Sequence, residues 1–256
     1  MSPRMKKKIL KWFWPIMPGY PDEGRRIVQG PHFRALLAIA AKERGKFRRV
    51  FNAGSGEGGY SPLLADLPVS QTIVESDLGF RNTLPARIDS RQAFFGASLD
   101  SIPLASNSVD LVLCTEVLEH IQQDEAALDD VARILAPGGW FLISVPTPPA
   151  PPDANHVREG YRREQLQDML AARGFHVVET RFCMYFFFRF LLGNWFRLPW
   201  CPRIVVRTFA VLDRLFPIGP PMDLVMLAQM KKVKPASACN GAVLAAKRPD
   251  EVQLGL

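Results

Sequence analysis

The stretch Val50-Phe-Asn-Ala-Gly-Ser-Gly-Glu-Gly-Gly59 reads as a strand that runs straight into a glycine turn ahead of a helix. Glycine accepts positive φ and carries no Cβ, so such a turn lets the backbone approach a ligand closely. The start of the following helix offers free N–H groups to a polar or anionic moiety. Taken alone, the turn also suits a tight strand-to-helix joint with no ligand, so its neighbours decide the reading.

On either side the hydrophobic periodicity alternates between strand and helix. His32–Lys42 carries Phe33, Leu36, Leu37, Ile39 and Ala40 at helical spacing and predicts a helix ahead of the core. Short aliphatic runs at Arg49–Ala53, Gln71–Glu75, Val109–Cys114, Trp140–Val145 and His176–Phe182 predict strands. Ser61–Leu67, Asp124–Leu135 and Arg163–Arg173 have helical character between or after them. Strands that alternate with helices imply parallel βαβ units and a doubly wound sheet. Two runs, Asp223–Ala228 and Gly241–Lys247, compete for the last strand, and the second is preferred because Lys-Arg-Pro closes it.

The chain has 256 residues, 48% of them hydrophobic, enough for one α/β core with modest additions. Four expected segments follow: a basic aromatic arm (1–30) broken by Pro15, Pro18, Gly19, Pro21 and Gly24; a core (31–182); an aromatic helical insertion (183–222); and a last strand with tail (223–256). Cys114, Cys183, Cys201 and Cys239 stand far apart, with no C-x-x-C and no histidine at metal-ligand spacing. They suggest neither a zinc site nor a disulfide framework, no metal is expected, and a reducing cytoplasm is the natural setting. Pro15 and Pro18 break the apolar stretch a secretory signal needs, and Arg189 interrupts the best candidate for a membrane span.

The second strand ends on Glu75-Ser-Asp77. Asp77 lies 23 residues beyond Gly54, close to the ~20 expected of a carboxylate that grips ribose hydroxyls. Glu75 is the alternative, but within a strand it points sideways more often. Leu78 and Gly79 then begin the next turn.

From about residue 48 to 182 the chain resembles the class I S-adenosylmethionine (SAM)-dependent methyltransferases, in particular the small-molecule branch typified by enzymes of ubiquinone and menaquinone biosynthesis. Phe51-Asn-Ala-Gly-Ser-Gly-Glu-Gly resembles the family's first SAM-binding motif. Ser98-Leu-Asp-Ser-Ile-Pro-Leu and Asn107-Ser-Val-Asp-Leu-Val-Leu-Cys-Thr-Glu-Val-Leu-Glu-His resemble its adenine-side loop and fourth strand. Leu135-Ala-Pro-Gly-Gly-Trp-Phe-Leu-Ile resembles the turn into the fifth, and His156-Val-Arg-Glu-Gly-Tyr recurs before the sixth. The resemblance implies a Rossmann-like, seven-stranded sheet with a helical insertion before the last strand. It implies SAM as cofactor, with Asn52, Gly54 and Gly56 at the methionine part, Asp77 and Leu78 at the ribose, Ser98 and Leu99 beside the adenine, and Cys114 and Thr115 flanking the sulfonium. The family usually has acids where Asn52 and Ser98 stand. An amide or hydroxyl still hydrogen-bonds but brings no charge, and Asp100 is an alternative adenine contact.

A hydroxyl acceptor would gain from a general base. His120 and His156 are the candidates, both expected near the carboxyl ends of the strands, where such sheets bind ligands. Helix capping and packing is the competing role of His120, and Tyr161 is expected as a pocket wall. The expected activity is methyl transfer to oxygen or carbon of a small-molecule or lipid-like acceptor. A non-catalytic SAM-binding or assembly module and an RNA methyltransferase are the rivals. Nucleic acid is disfavoured as a partner because Cys114-Thr-Glu-Val replaces the Asn/Asp-Pro-Pro-Tyr of amino-methylating enzymes. The formal charge of +7 includes Lys6, Lys7, Lys8 and Lys11 beside Trp12, Phe13 and Trp14, and arginines interleave with aromatics over 183–217. These segments read as a solvated tail and core or pocket lid, or together as a peripheral contact with an anionic membrane surface at the inner face.

Overall fold

A computed structural model describes residues 21–56, 58–70, 73–76, 92–149, 155–195 and 201–232. Its first element, α1 (Pro21–Arg44), begins inside the segment expected to be an irregular arm. Proline suits the first helical turn, where its missing N–H would have no partner. Gly24, which propensity counts against a helix, lies where α1 packs tightly on the helices Phe186–Trp195 and Arg203–Leu215. A Cβ there would lie 2.6 Å from Phe188 Cε2 and 2.9 Å from Val206 Cγ1. Tertiary packing therefore overrides the local signal, and the core helix starts eleven residues before His32. Residues 1–20, including the lysine-tryptophan run, lie outside the described residues.

The chain continues through β1 (Val50–Ala53), α2 (Ser61–Ala65), β2 (Ile73–Ser76), β3 (Gln92–Phe95), β4 (Val109–Thr115), a 3₁₀ turn (Leu118–His120) and α3 (Asp124–Ile134). It ends with β5 (Leu135–Pro146), α4 (Arg163–Ala172), β6 (Phe175–Cys183), α5 (Phe186–Trp195), α6 (Arg203–Leu215) and β7 (Asp223–Met230). Among the described residues, these seven strands form one sheet in the order β3-β2-β1-β4-β5-β7-β6. β1, β2, β3, β4 and β5 run parallel, while β7 pairs antiparallel with both β5 and β6.

Three findings depart from the sequence reading. β3 is a strand that periodicity did not mark, a four-residue run paired on one side only. Among the described residues the last strand is β7, the run ranked second, and it is buried along nearly its whole length because it lies between β5 and β6. The preferred run, 241–247, lies outside the described residues. Finally, β5 starts at Leu135, so the Ala-Pro-Gly-Gly segment belongs to the strand, with an irregularity between Val109 and Leu111 absorbing the shift.

Each face of the sheet carries its own core. On one, Phe33 and Leu36 of α1 pack with Phe188 of α5 and Val206 of α6. On the other, Leu128 and Val131 of α3 pack with Leu166 and Leu170 of α4. The aromatic segment between β6 and β7 is thus partly core. Asp213 of α6 fixes it by accepting the backbone N–H of Tyr185 (2.8 Å) and Phe188 (3.0 Å) at the start of α5. Such acceptance satisfies donors that a helix start leaves unpaired.

The contact at Gly24 yields a paired prediction. Gly24→Ala should destabilise the protein by about 1–3 kcal/mol through overpacking. Gly30→Ala, in the same helix with only Arg34 Nη1 near its Cβ at 3.9 Å, should be neutral or stabilising by up to about 1 kcal/mol. Urea denaturation of the two variants and the wild type checks both signs.

Candidate functional site

In an open α/β sheet, ligands bind beyond the carboxyl ends of the strands where the strand order reverses. Here the chain moves outward from β1 to β2 and β3, then returns to β4 on the other side of β1. The switch point therefore lies between β1 and β4. Ala53 pairs with Cys114 at the ends of these strands, which brings Asn52, Gly54, Cys114 and Thr115 together.

The glycine turn meets the requirement that motivated its choice. Gly54, Gly56 and Gly58 have φ of +65°, +53° and +73°. A Cβ on Gly54 would strike Val117 Cγ2 at 2.4 Å, whereas one on Gly56 would meet nothing within 4 Å. Gly54 thus lets the segment after β4 close over the turn, and the free space lies at Gly56. Asn52 is 1% exposed and its Oδ1 has no partner; the buried Ser55 Oγ is likewise without one. Buried polar atoms without partners are costly, so these acceptors suit a ligand that donates hydrogen bonds.

Cys114 is fully buried, and desolvation, followed by the charges of Glu119 and Glu116, holds its thiol well above the ordinary range. It contributes shape, not a thiolate. Leu99 is 6% exposed and packs in the core with Phe51 and Ala53, while Ser98 forms an isolated bridge with Ser101. Asp77 and Leu78 lie outside the described residues, and of Glu75 only the strand position is described. Tyr161 is a correction: it is fully buried, and its hydroxyl donates to Asp124 Oδ2 (2.8 Å), so it ties the chain to the start of α3. Its neighbours Arg158 and Asp124 complete that anchor.

A polar network that the sequence reading missed closes the switch point from above. Glu116, directly after β4, has φ +55° and receives Arg25 Nη1 (2.6 Å), Ser144 Oγ (2.8 Å) and Gln29 Nε2 (3.3 Å). Gln29, 0% exposed, also donates to Asp223 Oδ2 (2.6 Å), and its own Oε1 accepts from Tyr60 Oη. Burial first, then the Glu116 charge, holds the Asp223 carboxyl well above the usual range, while the bond from Gln29 works in the opposite direction. Gln29 falls in the segment expected to be an irregular arm, so no local pattern marked it.

Both histidine candidates are at the rim, and the fold brings them together. Their ring centroids lie 4.7 Å apart in an edge-to-face arrangement. His120 ends the 3₁₀ turn and its Nδ1 is 3.0 Å from the Asn155 carbonyl oxygen; Val157 N–H donates to the Glu119 carbonyl (3.0 Å). These two bonds clip the loop on either side of His156. Glu119, adjacent in sequence, is fully buried with both carboxylate oxygens unpartnered.

The network carries a pH-dependent prediction. An acid whose native pKa is raised contributes stability at low pH, which is lost as pH climbs from its unfolded value toward its native one. Gln29→Leu removes the donor that favours ionised Asp223. It should cost about 1–3 kcal/mol at pH 7 and less at pH 5, where Asp223 more readily holds a proton. Urea denaturation at the two pH values measures the difference.

Residues 51–143 match the family model described as "Methyltransferase domain". A probable S-adenosylmethionine-dependent methyltransferase of Mycolicibacterium smegmatis is 30% identical over 52% of this chain and 54% of its own length. A dimethylglycine N-methyltransferase of Parasynechococcus marenigrum is 32% identical over 49% of this chain and 47% of its own. The chain thus spans about half the length of these curated relatives. Among solved structures, that of a putative methyltransferase from Bacillus halodurans superposes with a TM-score of 0.55 at 17% identity, covering 77% of this chain and 98% of the other. Over residues 51–143 the chain thus matches a methyltransferase domain, and its sheet has the fold of the solved methyltransferase.

Proposed function

We propose that the protein transfers a methyl group from SAM to oxygen or carbon of a small or lipid-like acceptor. The observation that carries this reading is the turn after β1, at the topological switch point, where Gly56 is open and the buried Asn52 Oδ1 has no partner. When bound, SAM supplies a methyl on a sulfonium that needs no further activation, so the protein's share is alignment and exclusion of water. In this reading Asn52, Gly54 and Gly56 hold the amino-acid part, Asp77 and Leu78 the ribose, and Ser98 and Leu99 the adenine. Cys114 and Thr115 wall the reacting centre, while His120 and His156 stand on the acceptor side. The α5–α6 pair would then be the helical insertion that shapes acceptor choice.

Calorimetric titration with SAM tests the cofactor site. Micromolar affinity is expected, about −8 kcal/mol. Gly56→Val, which fills the open space, should weaken binding at least tenfold. Asp77→Ala should do the same through loss of charge-assisted bonds worth about 1.5–3 kcal/mol. Glu75→Ala should do much less, and the reverse outcome, with the large loss in Glu75→Ala, would move the ribose role to Glu75.

A specific observation supports a lipid-like acceptor met at a membrane surface. Among the described residues, seven of the nine exposed large apolar side chains lie between Phe186 and Ile218, in α5, α6 and the turn that follows, so the exposed apolar surface is concentrated in one segment. Phe186 is 52% and Leu215 64% exposed, and the exposed Arg207 and Arg214 lie along the same helix as Leu215. No described helix is long and apolar enough to cross a membrane, so the contact would be interfacial, with each basic residue adding about 1 kcal/mol on an anionic surface. Sedimentation with anionic vesicles should capture the protein at low salt and release it near 1 M, where the Debye length is about 3 Å. Phe190→Ser with Leu215→Ser should reduce capture severalfold. Full retention in the supernatant at low salt would leave the aromatic face without a lipid role.

A further inference from the structure

Glu119, His120 and His156 each offer a ligand atom, and these atoms lie within 4.8 Å of one another. We infer that they form a binding site for one divalent transition-metal ion, on the rim of the cleft beside the glycine turn.

Three observations carry the assignment. First, a fully buried carboxylate with neither oxygen hydrogen-bonded has lost its hydration without replacement. Arg25 acts on the carboxyl through its charge, and His120 Nε2 stands 3.8 Å from Oε1, beyond hydrogen-bond distance. An ion seated between the two would satisfy both. Second, the His120 tautomer is fixed by its other nitrogen. A carbonyl oxygen only accepts, so Nδ1, 3.0 Å from the Asn155 oxygen, carries the hydrogen. In the neutral imidazole this leaves the Nε2 lone pair on the side of Glu119. Metal-ligating histidines are held in this way, with the distal N–H on a carbonyl or carboxylate. Third, the loop bearing His156 is bonded to the 3₁₀ turn on both sides, through Asn155 O and Val157 N. The three donors therefore come preassembled, although 36 residues separate the two histidines.

The donor set narrows the ion. Two imidazoles and one carboxylate suit Zn²⁺, Fe²⁺ or Co²⁺ better than Mg²⁺ or Ca²⁺, which prefer all-oxygen shells. Ligand bonds of about 2.0–2.2 Å require the donors, which lie within 4.8 Å of one another, to close by up to about 1.4 Å, a side-chain adjustment for the exposed His120 and the partly exposed His156. Three protein ligands leave coordination positions for water or an acceptor oxygen. If the protein transfers methyl groups as proposed, the ion would favour the deprotonated form of an acceptor hydroxyl. Binding of the metal does not depend on that reading.

The test uses the full chain, stripped with a chelator and titrated with Zn²⁺ and with Co²⁺ in the absence of SAM. One ion per chain should bind, and Co²⁺ should give visible ligand-field absorption. Glu119→Gln, His120→Ala and His156→Ala should each weaken Zn²⁺ binding at least tenfold, whereas His176→Ala, on exposed β6, should leave it unchanged. Because Glu119→Gln is isosteric, circular dichroism separates loss of metal from loss of fold. X-ray absorption on the zinc form should show only nitrogen and oxygen donors, including two imidazoles. Sulfur in the shell, binding that survives all three substitutions, or no stoichiometric binding by the wild type would overturn the site. SAM titration of the metal-free protein reads the cofactor proposal separately.

Discussion

The Glu116 carboxylate holds the upper rim of this molecule together. It sits where β4 ends, in a left-handed backbone conformation that a non-glycine residue adopts only when its surroundings impose it. Arg25 and Gln29 reach it from α1, and Ser144 from β5; Gln29 also bonds to Asp223 at the start of β7. Glu116 and Gln29 together thus join a helix and three strands. The turn at Glu116 sends Val117 onto Gly54 and starts the Leu118–His120 segment, so the glycine turn and the histidine cluster are both placed by the same constraint. The charges involved are partly or fully buried, where removing one partner costs more than forming the pair gains.

What could be read from the sequence was local. The run into Gly54, the apolar β4 and β5, and the positions of α3 and α4 follow from periodicity and turn chemistry over ten residues or fewer. The parts that were not legible depend on distant partners. α1 begins at Pro21 because Phe188 and Val206 fit against Gly24, a contact more than 160 residues away in sequence. β3 is short and paired on one side, so it lacks the alternation that marks a longer strand. β7 and 241–247 have similar patterns, and only the pairing with β5 and β6 distinguishes the first.

The site was legible in the same uneven way. Asn52, Gly54, Gly56, Cys114 and Thr115 came from two motifs, and the strand order puts those motifs side by side. The two histidines were chosen separately as candidate bases and meet at 4.7 Å. Glu119 was passed over because a Glu beside a His on a short helical turn reads as a solvated residue. Its complete burial is a tertiary fact. Asn52 departs from the family's usual acid, yet its unpartnered oxygen keeps the accepting capacity while giving up the charge. Fold resemblance alone does not assign chemistry, so the functional reading rests on these atoms.

Hydrogen–deuterium exchange of the full chain, with and without S-adenosylhomocysteine, tests the central claim that the switch point is the cofactor site. Slowed exchange is predicted in peptides covering residues 51–60 and 111–120, the two segments that meet at the ends of β1 and β4. Unchanged exchange in both segments at saturating ligand, or protection confined to α5 and α6, would contradict it.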